Sequence, residues 1–233
     1  MKAIEDFEYR TKYYHKAIHF LGRGMKTSSQ VVEYLHQKMS DQVLDNPEVI
    51  VPDTQEVIAW VIDTLTHQGY LNDEAYSKAF VRNQMQLQHI GPIKISQQLK
   101  EKGIEDELIH RAMNEYPQDL LEENIHFTIE KFMKSHQKTA RKVLKSKLGQ
   151  YLFQRGFSSE HYQDIDLDNY LTFDEEREME ILDQDLEKIF NKFSRKYEGY
   201  ALKQRIVQAG LRKGHNYEDI SRWLSEKGDI HEI

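Results

Sequence analysis

Apolar residues recur at spacings of three and four along most of the chain, and strict alternation is nearly absent, so the pattern predicts amphipathic helices rather than strands. Residues 69–104 carry the clearest signals. Gly69 closes one helix. Asn72 caps the next, and Asp73 and Glu74 face its positive end. Ala75, Tyr76, Ala79 and Phe80, then Leu87, predict the apolar stripe of that helix. Gly91-Pro92 stops it and opens another, because proline is tolerated in a first turn. Ile95 and Leu99 mark a second stripe, with Lys94, Lys100 and Lys102 largely outside it, and Gly103 ends the unit.

The same arrangement recurs. Setting Gly103, Gly156 and Gly214 in register aligns Ile95 with Leu148 and Ile206, and Leu99 with Leu152 and Gly210; Val31, Leu35 and Met39 fit the same columns. The intervals are irregular. Each segment reads as three helices, and since two amphipathic helices cannot close a core alone, the units are expected to stack. The expected divisions are 1–71 (with an N-terminal extension), 72–117, 118–171 and 172–233. In the first, Tyr13, Ala17, Ile18 and Leu21 share a face, Thr27-Ser-Ser-Gln30 is a capping box, residues 40–52 form a loop, and Asp53-x-x-Glu56 opens a helix carrying Val57, Ile58, Val61, Ile62 and Leu65. In the third, Ile125, Ile129 and Phe132 precede a basic helix around Val143, Leu144, Leu148, Leu152 and Phe153. A second capping box, Thr172-x-x-Glu175, opens a long acidic helix through Met179, Leu182, Leu186, Ile189 and Phe193, and a last helix from Asn216 carries Ile220, Trp223 and Leu224. The predicted fold is all-α: an elongated, curved array of tandem three-helix, helix-turn-helix-like repeats.

Composition narrows the function. The 233 residues are 39% hydrophobic and include no cysteine, so disulfides and thiolate metal sites are excluded and a reducing, cytoplasmic location is expected. The charged start, MKAIEDFEYRTKYY, is no signal peptide, and no apolar run approaches the roughly 18 residues of a membrane span. The net charge of −7 hides strong blocks. Residues 131–155 hold eight Lys or Arg and no acid, residues 160–188 hold twelve acids and two bases, and residues 192–213 hold seven bases against Glu198. Such asymmetry points to a polyanionic partner met by part of the surface.

The basic helix is the first candidate site. Lys138, Arg141, Lys142 and Lys145 fall at spacings of three and four, which puts most on one face, suited to phosphates or to an acidic protein groove. The bland alternative is a solvated face balancing the acidic helix. Asp164, Asp166, Asp168, Thr172 and Glu175 occupy positions 1, 3, 5, 9 and 12 of a calcium loop. Asn169 stands where glycine is expected, and an acidic linker ending in a helix cap is the stronger reading. His15 and His19 lie one turn apart without a third ligand and read as surface histidines. There is no GxxxxGK[ST] cradle and no nucleophile elbow, so no cofactor and no enzyme activity is expected.

The stretch Gly69-Tyr-Leu-Asn-Asp-Glu-Ala-Tyr76, then Phe80-Val-Arg82, Gly91-Pro92, Ile95, Leu99 and Lys102-Gly103-Ile104 resembles the central signature of RecX, the bacterial regulator of the RecA recombinase. The clear match runs from Leu21 to Met113, with looser agreement beyond. The resemblance implies tandem three-helix units, a shortened N-terminus here, and a RecA filament partner together with single-stranded and, as a further option, double-stranded DNA, bound by a monomer. It also implies that basic residues of the repeats face that filament: Arg82, Lys94, Lys100, Lys102, Lys138, Arg141, Lys142, Lys145, Lys147, Arg155, Arg205, Arg212 and Lys213. The alternative is a helical protein acting directly on DNA without RecA, although no recognition helix with base-reading side chains stands out. A metal nuclease using the aspartate cluster is a third class, weakened by the lack of a second carboxylate cluster.

Overall fold

The computed structural model describes residues 6–45, 52–137, 139–171 and 175–227, and no strand occurs among them. Eleven α-helices follow in order: α1 (Asp6–Leu21), α2 (Ser28–Asp45), α3 (Thr54–His67), α4 (Asp73–Leu87), α5 (Pro92–Glu101), α6 (Asp106–Met113), α7 (Gln118–Ser135), α8 (Arg141–Gln154), α9 (Glu175–Phe193), α10 (Gly199–Arg212) and α11 (Tyr217–Glu226). Two 3-10 turns, Ser159–His161 and Leu167–Asn169, lie between α8 and α9. The chain forms two compact units, divided between Leu121 and Glu122.

In the first unit, α1–α3 close a core around Tyr9, Tyr13, Leu35, Val61 and Leu65. Helices α4–α6 close another around Val81, Met85, Ile95, Leu99 and Ile109. Fully burying a side chain of this size contributes about 2 kcal/mol, so each trio is held by its own stripe residues. The expected start signals are present. Asp53 accepts the N–H groups of Gln55 and Glu56, Asn72 accepts that of Ala75, and Gly91 precedes Pro92 at the start of α5. Thr27 and Gln30 cap each other reciprocally, at 3.1 and 3.2 Å. Between the two trios, the Thr27 hydroxyl donates to the Lys102 carbonyl (2.7 Å), and the Ser28 N–H donates to Asp73 (2.9 Å). Gly103 adopts φ +74, and a Cβ there would overlap Ser29.

In the second unit, α9–α11 enclose Leu186, Leu202, Ile206, Ile220 and Leu224. Ile125 and Ile129 of α7 and Leu144, Leu148 and Leu152 of α8 are also fully buried. The Phe132 and Tyr151 rings, 5.3 Å apart, link α7 to α8. A His126–Tyr170 hydrogen bond ties the acidic loop to α7. Gly214, at φ +93, sits flush against Val143 of α8.

Three expectations from the pattern need correction. Helix α2 does not stop near Met39 but runs to Asp45. No glycine or proline intervenes before Pro47, and α1 holds Gln42 through Lys12 and Tyr13. In α4 the buried line is Ser77, Val81 and Met85, whereas Leu87 is exposed. Ser77 can be buried because its hydroxyl donates to the Asp73 carbonyl at 2.6 Å. Phe153 and Met179 are exposed. Phe153 follows Leu152 on the buried line Leu144, Leu148 and Leu152, and an offset of about a quarter turn leads to solvent.

Candidate nucleic-acid interface

The basic segment does not form one continuous helix. Helix α8 begins at Arg141, behind Ala140, which provides no side-chain cap, and its first turn holds no acid. Lys138 lies outside the described residues. Leu144, Leu148 and Leu152 turn one side of α8 into the core, which leaves Arg141, Lys142, Lys145 and Lys147 exposed. Cations in a first helical turn oppose the helix dipole, at roughly 0.3–1 kcal/mol each. These charges therefore weaken the helix that carries them.

Arg141, Lys142 and Lys145 line one side of a cleft of about 660 Å³. Glu178, Met179, Ile181 and Leu182 of α9 form a second wall, and Gly214, His215, Asn216, Asp219 and Arg222 a third. Asp168 reaches in from the acidic loop. Its carboxylate accepts from Lys145 Nζ at 2.8 and 3.1 Å and lies 3.9 Å from Arg141 Nη2. The Lys145 hydrogen bond, with the positive charges of Lys145 and Arg141, holds the Asp168 carboxyl below the usual range against a smaller effect of desolvation. Lys142 has no carboxylate within 4 Å among the described residues. Behind the cleft, buried Asp185 accepts from Lys213 Nζ at 2.5 Å and meets His215 Nε2 at 3.1 Å. Burial pushes the Asp185 pKa up, but the hydrogen bonds from Lys213 and His215 outweigh it and leave the group below its ordinary value.

The other candidate cations are dispersed. Arg82 lies 3.9 Å from Glu115, Lys100 lies 3.2 Å from Asp106, and the Lys102 ammonium sits 5.5 Å from the Phe80 ring centre. Lys94 is half-buried on α5. Lys147, Arg155, Arg205, Arg212 and Lys213 do not line the cleft; Arg205 stacks over Tyr197 at 5.3 Å, and Arg155 ends α8. Sequence reasoning missed Arg222, His215 and Asp219. Their proximity to α8 depends on the Gly214–Val143 packing, and no spacing along the chain encodes it. It also passed over residues 9–32, which hold five Lys or Arg and no acid.

The acidic loop does not present a gathered set of ligands. Asp168 is turned to Lys145, Asp166 accepts the N–H of Asp168, and no group of three or more His, Asp or Glu suited to a metal occurs among the described residues. Thr172 and the Glu175 side chain, which complete the calcium pattern and the second capping box, lie outside those residues. No helix among the described residues is long and apolar enough to cross a membrane.

Comparison with known proteins gives a consistent picture. Residues 72–113 match the second three-helix domain of RecX, and residues 121–164 and 175–224 match its third. The chain is similar to the regulatory protein RecX of Streptococcus uberis, at 30% identity over 226 residues, covering 97% of this chain and 82% of the relative. It is likewise similar to that of Lactococcus lactis subsp. lactis, at 32% identity over 232 residues, covering 97% and 80%. A crystal structure of RecX from Lactobacillus salivarius shares the fold, with a TM-score of 0.57 at 24% identity over 70% of this chain and 97% of that one. A second crystal structure of regulatory protein RecX gives 0.58 at 24% identity, over 67% and 72%.

Proposed function

This chain belongs to the RecX family, and from that premise we propose that it binds the RecA–single-stranded DNA filament and modulates it, chiefly by inhibition. As a monomer it inserts along the filament groove, where it blocks growth or promotes disassembly. Strand exchange, ATP hydrolysis and repressor cleavage by RecA then fall together. Basic side chains of the repeats meet DNA phosphates or acidic edges of the recombinase, with the α8 set contributing most and Arg82, Lys94, Lys100 and Lys102 adding weaker contacts.

One observation carries this reading. Three cations stand near the start of α8, two of them in its first turn where they cost the helix stability, and they open onto a cleft instead of being used within the core. Small units in tandem also suit a polymer that no single pocket could enclose. The test is RecA ATPase activity on single-stranded DNA with this protein titrated in. Hydrolysis falls at stoichiometric or lower ratios if the reading holds; an unchanged rate removes it.

A further inference from the structure

We infer that the α8 cleft is a binding site for one nucleotide unit of single-stranded nucleic acid, and that Asp168 occupies its phosphate position until the strand displaces it. The inference rests on the reading above in taking nucleic acid as the partner, and adds the site and its internal competitor.

The geometry begins with Asp168. Arg141 and Lys145 stand one helical turn apart and converge on a single carboxylate, with Lys145 reaching both of its oxygens. Two oxygens held between an arginine and a lysine reproduce what a phosphodiester offers through its non-bridging oxygens. The pair is replaceable. The side chains of Arg141, Lys145 and Asp168 are each about half exposed, at 50, 55 and 51%, and ion pairs of that kind contribute little to stability. The backbone of the loop is held by other means: Asp166 accepts the Asp168 N–H at 3.0 Å, and Tyr170 is hydrogen-bonded to His126. The Asp168 side chain can therefore leave without unravelling its turn.

The rest of the cleft selects the ligand class. At about 660 Å³ it is far larger than one anion needs. Lys142 adds positive charge from α8, Arg222 of α11 lies 3.9 Å from Asp219, and half-exposed Met179 supplies an apolar surface in the same cleft. Glu178 and Asp219 also line it. A run of carboxylates, as on an acidic peptide, would meet those two acids as well as the cations. A nucleotide carries its one charge to the α8 side and presents an uncharged base to the remainder, where exocyclic amino groups can donate to carboxylates. Unpaired bases are free to turn into such a space, as they are not in a duplex.

The experiment measures binding of a fluorescent single-stranded oligonucleotide by anisotropy, using the full chain without RecA at fixed low salt. Asp168→Asn keeps the shape and the N–H and removes the competing charge; Asp164→Asn removes the same charge from the same loop away from the cleft. The expected result is binding about two- to fivefold tighter for Asp168→Asn, the range set by an exposed ion pair, with Asp164→Asn close to the parent. Equal tightening by both would reduce the effect to net charge and overturn the inference. No change, or weaker binding, with Asp168→Asn would overturn it as well. Polyglutamate displacing the oligonucleotide as readily as unlabelled oligonucleotide does would replace nucleic acid with an acidic protein as the occupant. Inhibition of RecA by a chain that binds no oligonucleotide would sink the cleft assignment and leave the proposed function standing.

Discussion

Helices α5 and α8 occupy equivalent places in the repeat register, with Ile95 and Leu99 in one matching Leu148 and Leu152 in the other, all four fully buried. Their charges are arranged differently. α5 starts with Pro92, holds Lys94 and no acid in its first turn, and carries Lys100 in its last turn, where a cation complements the helix dipole. α8 starts with Arg141 and Lys142, has no acid in its first turn and no basic residue in its last. The cations of α5 also have local uses: Lys100 pairs with Asp106, and Lys102 lies over Phe80. Those of α8 have Asp168 from another segment, and Lys142 has no carboxylate partner among the described residues. The same buried frame thus supports one helix with cations at both ends and another whose cations cluster toward its start, where nothing at the other end offsets them. Function is expected at the second.

The sharpest way to break the comparison acts on two turn glycines, Gly103 after α5 and Gly214 after α10, the second of which packs on α8. Gly103 and Gly214 both hold a positive φ, and a Cβ would overlap Ser29 in one case and Val143 in the other. Gly103→Ala and Gly214→Ala should each cost about 1–3 kcal/mol, read as a lowered melting temperature. Only the second moves α8, so only Gly214→Ala should also weaken oligonucleotide binding in the folded protein. Equal effects on binding would show that α8 is not the distinguishing element.

A smaller effect is expected at Asp185. Asp185→Asn weakens the support of Lys213 and His215 behind the cleft and should cost about 1–2 kcal/mol at neutral pH. The folded-state pKa of Asp185 lies below its ordinary 3.8. Its stabilisation is therefore present above about pH 4 and is lost as pH falls through the lowered value. Melting curves of parent and variant should converge on acidification in that range; a constant gap would show that the carboxylate charge is not what holds the turn. The turn at Gly103, by contrast, places Lys102 over an aromatic ring, and no such acid-dependent term is expected from that contact.

Most of the helical frame is legible in the sequence because its signals are local. Asn72, Asp53 and Thr27 cap helices, Pro92 opens one, and Gly103 and Gly214 close others through interactions spanning a few residues. The phase of α4 is less legible, since Tyr76 and Phe80 compete with a line that runs through a serine, and Ser77 is apolar in effect only once its hydroxyl is bonded to Asp73. The cations of α8 are visible as a charge block, but the cleft is not. Its other walls come from α9 and from the turn after Gly214, and Asp168 reaches Lys145 across 23 positions. Such proximity is a product of packing, which charge spacing along one helix does not encode.

The most direct measurement of the central claim is the salt dependence of single-stranded DNA binding for two matched triple variants. Replacing Arg141, Lys142 and Lys145 with Gln should reduce the slope of log affinity against log salt by about 0.7, for the one phosphate that the cleft no longer neutralises. Replacing Lys94, Lys100 and Lys102 with Gln should change it by less than about 0.3. Equal reductions, or a slope that the α8 variant leaves unchanged, would contradict the account.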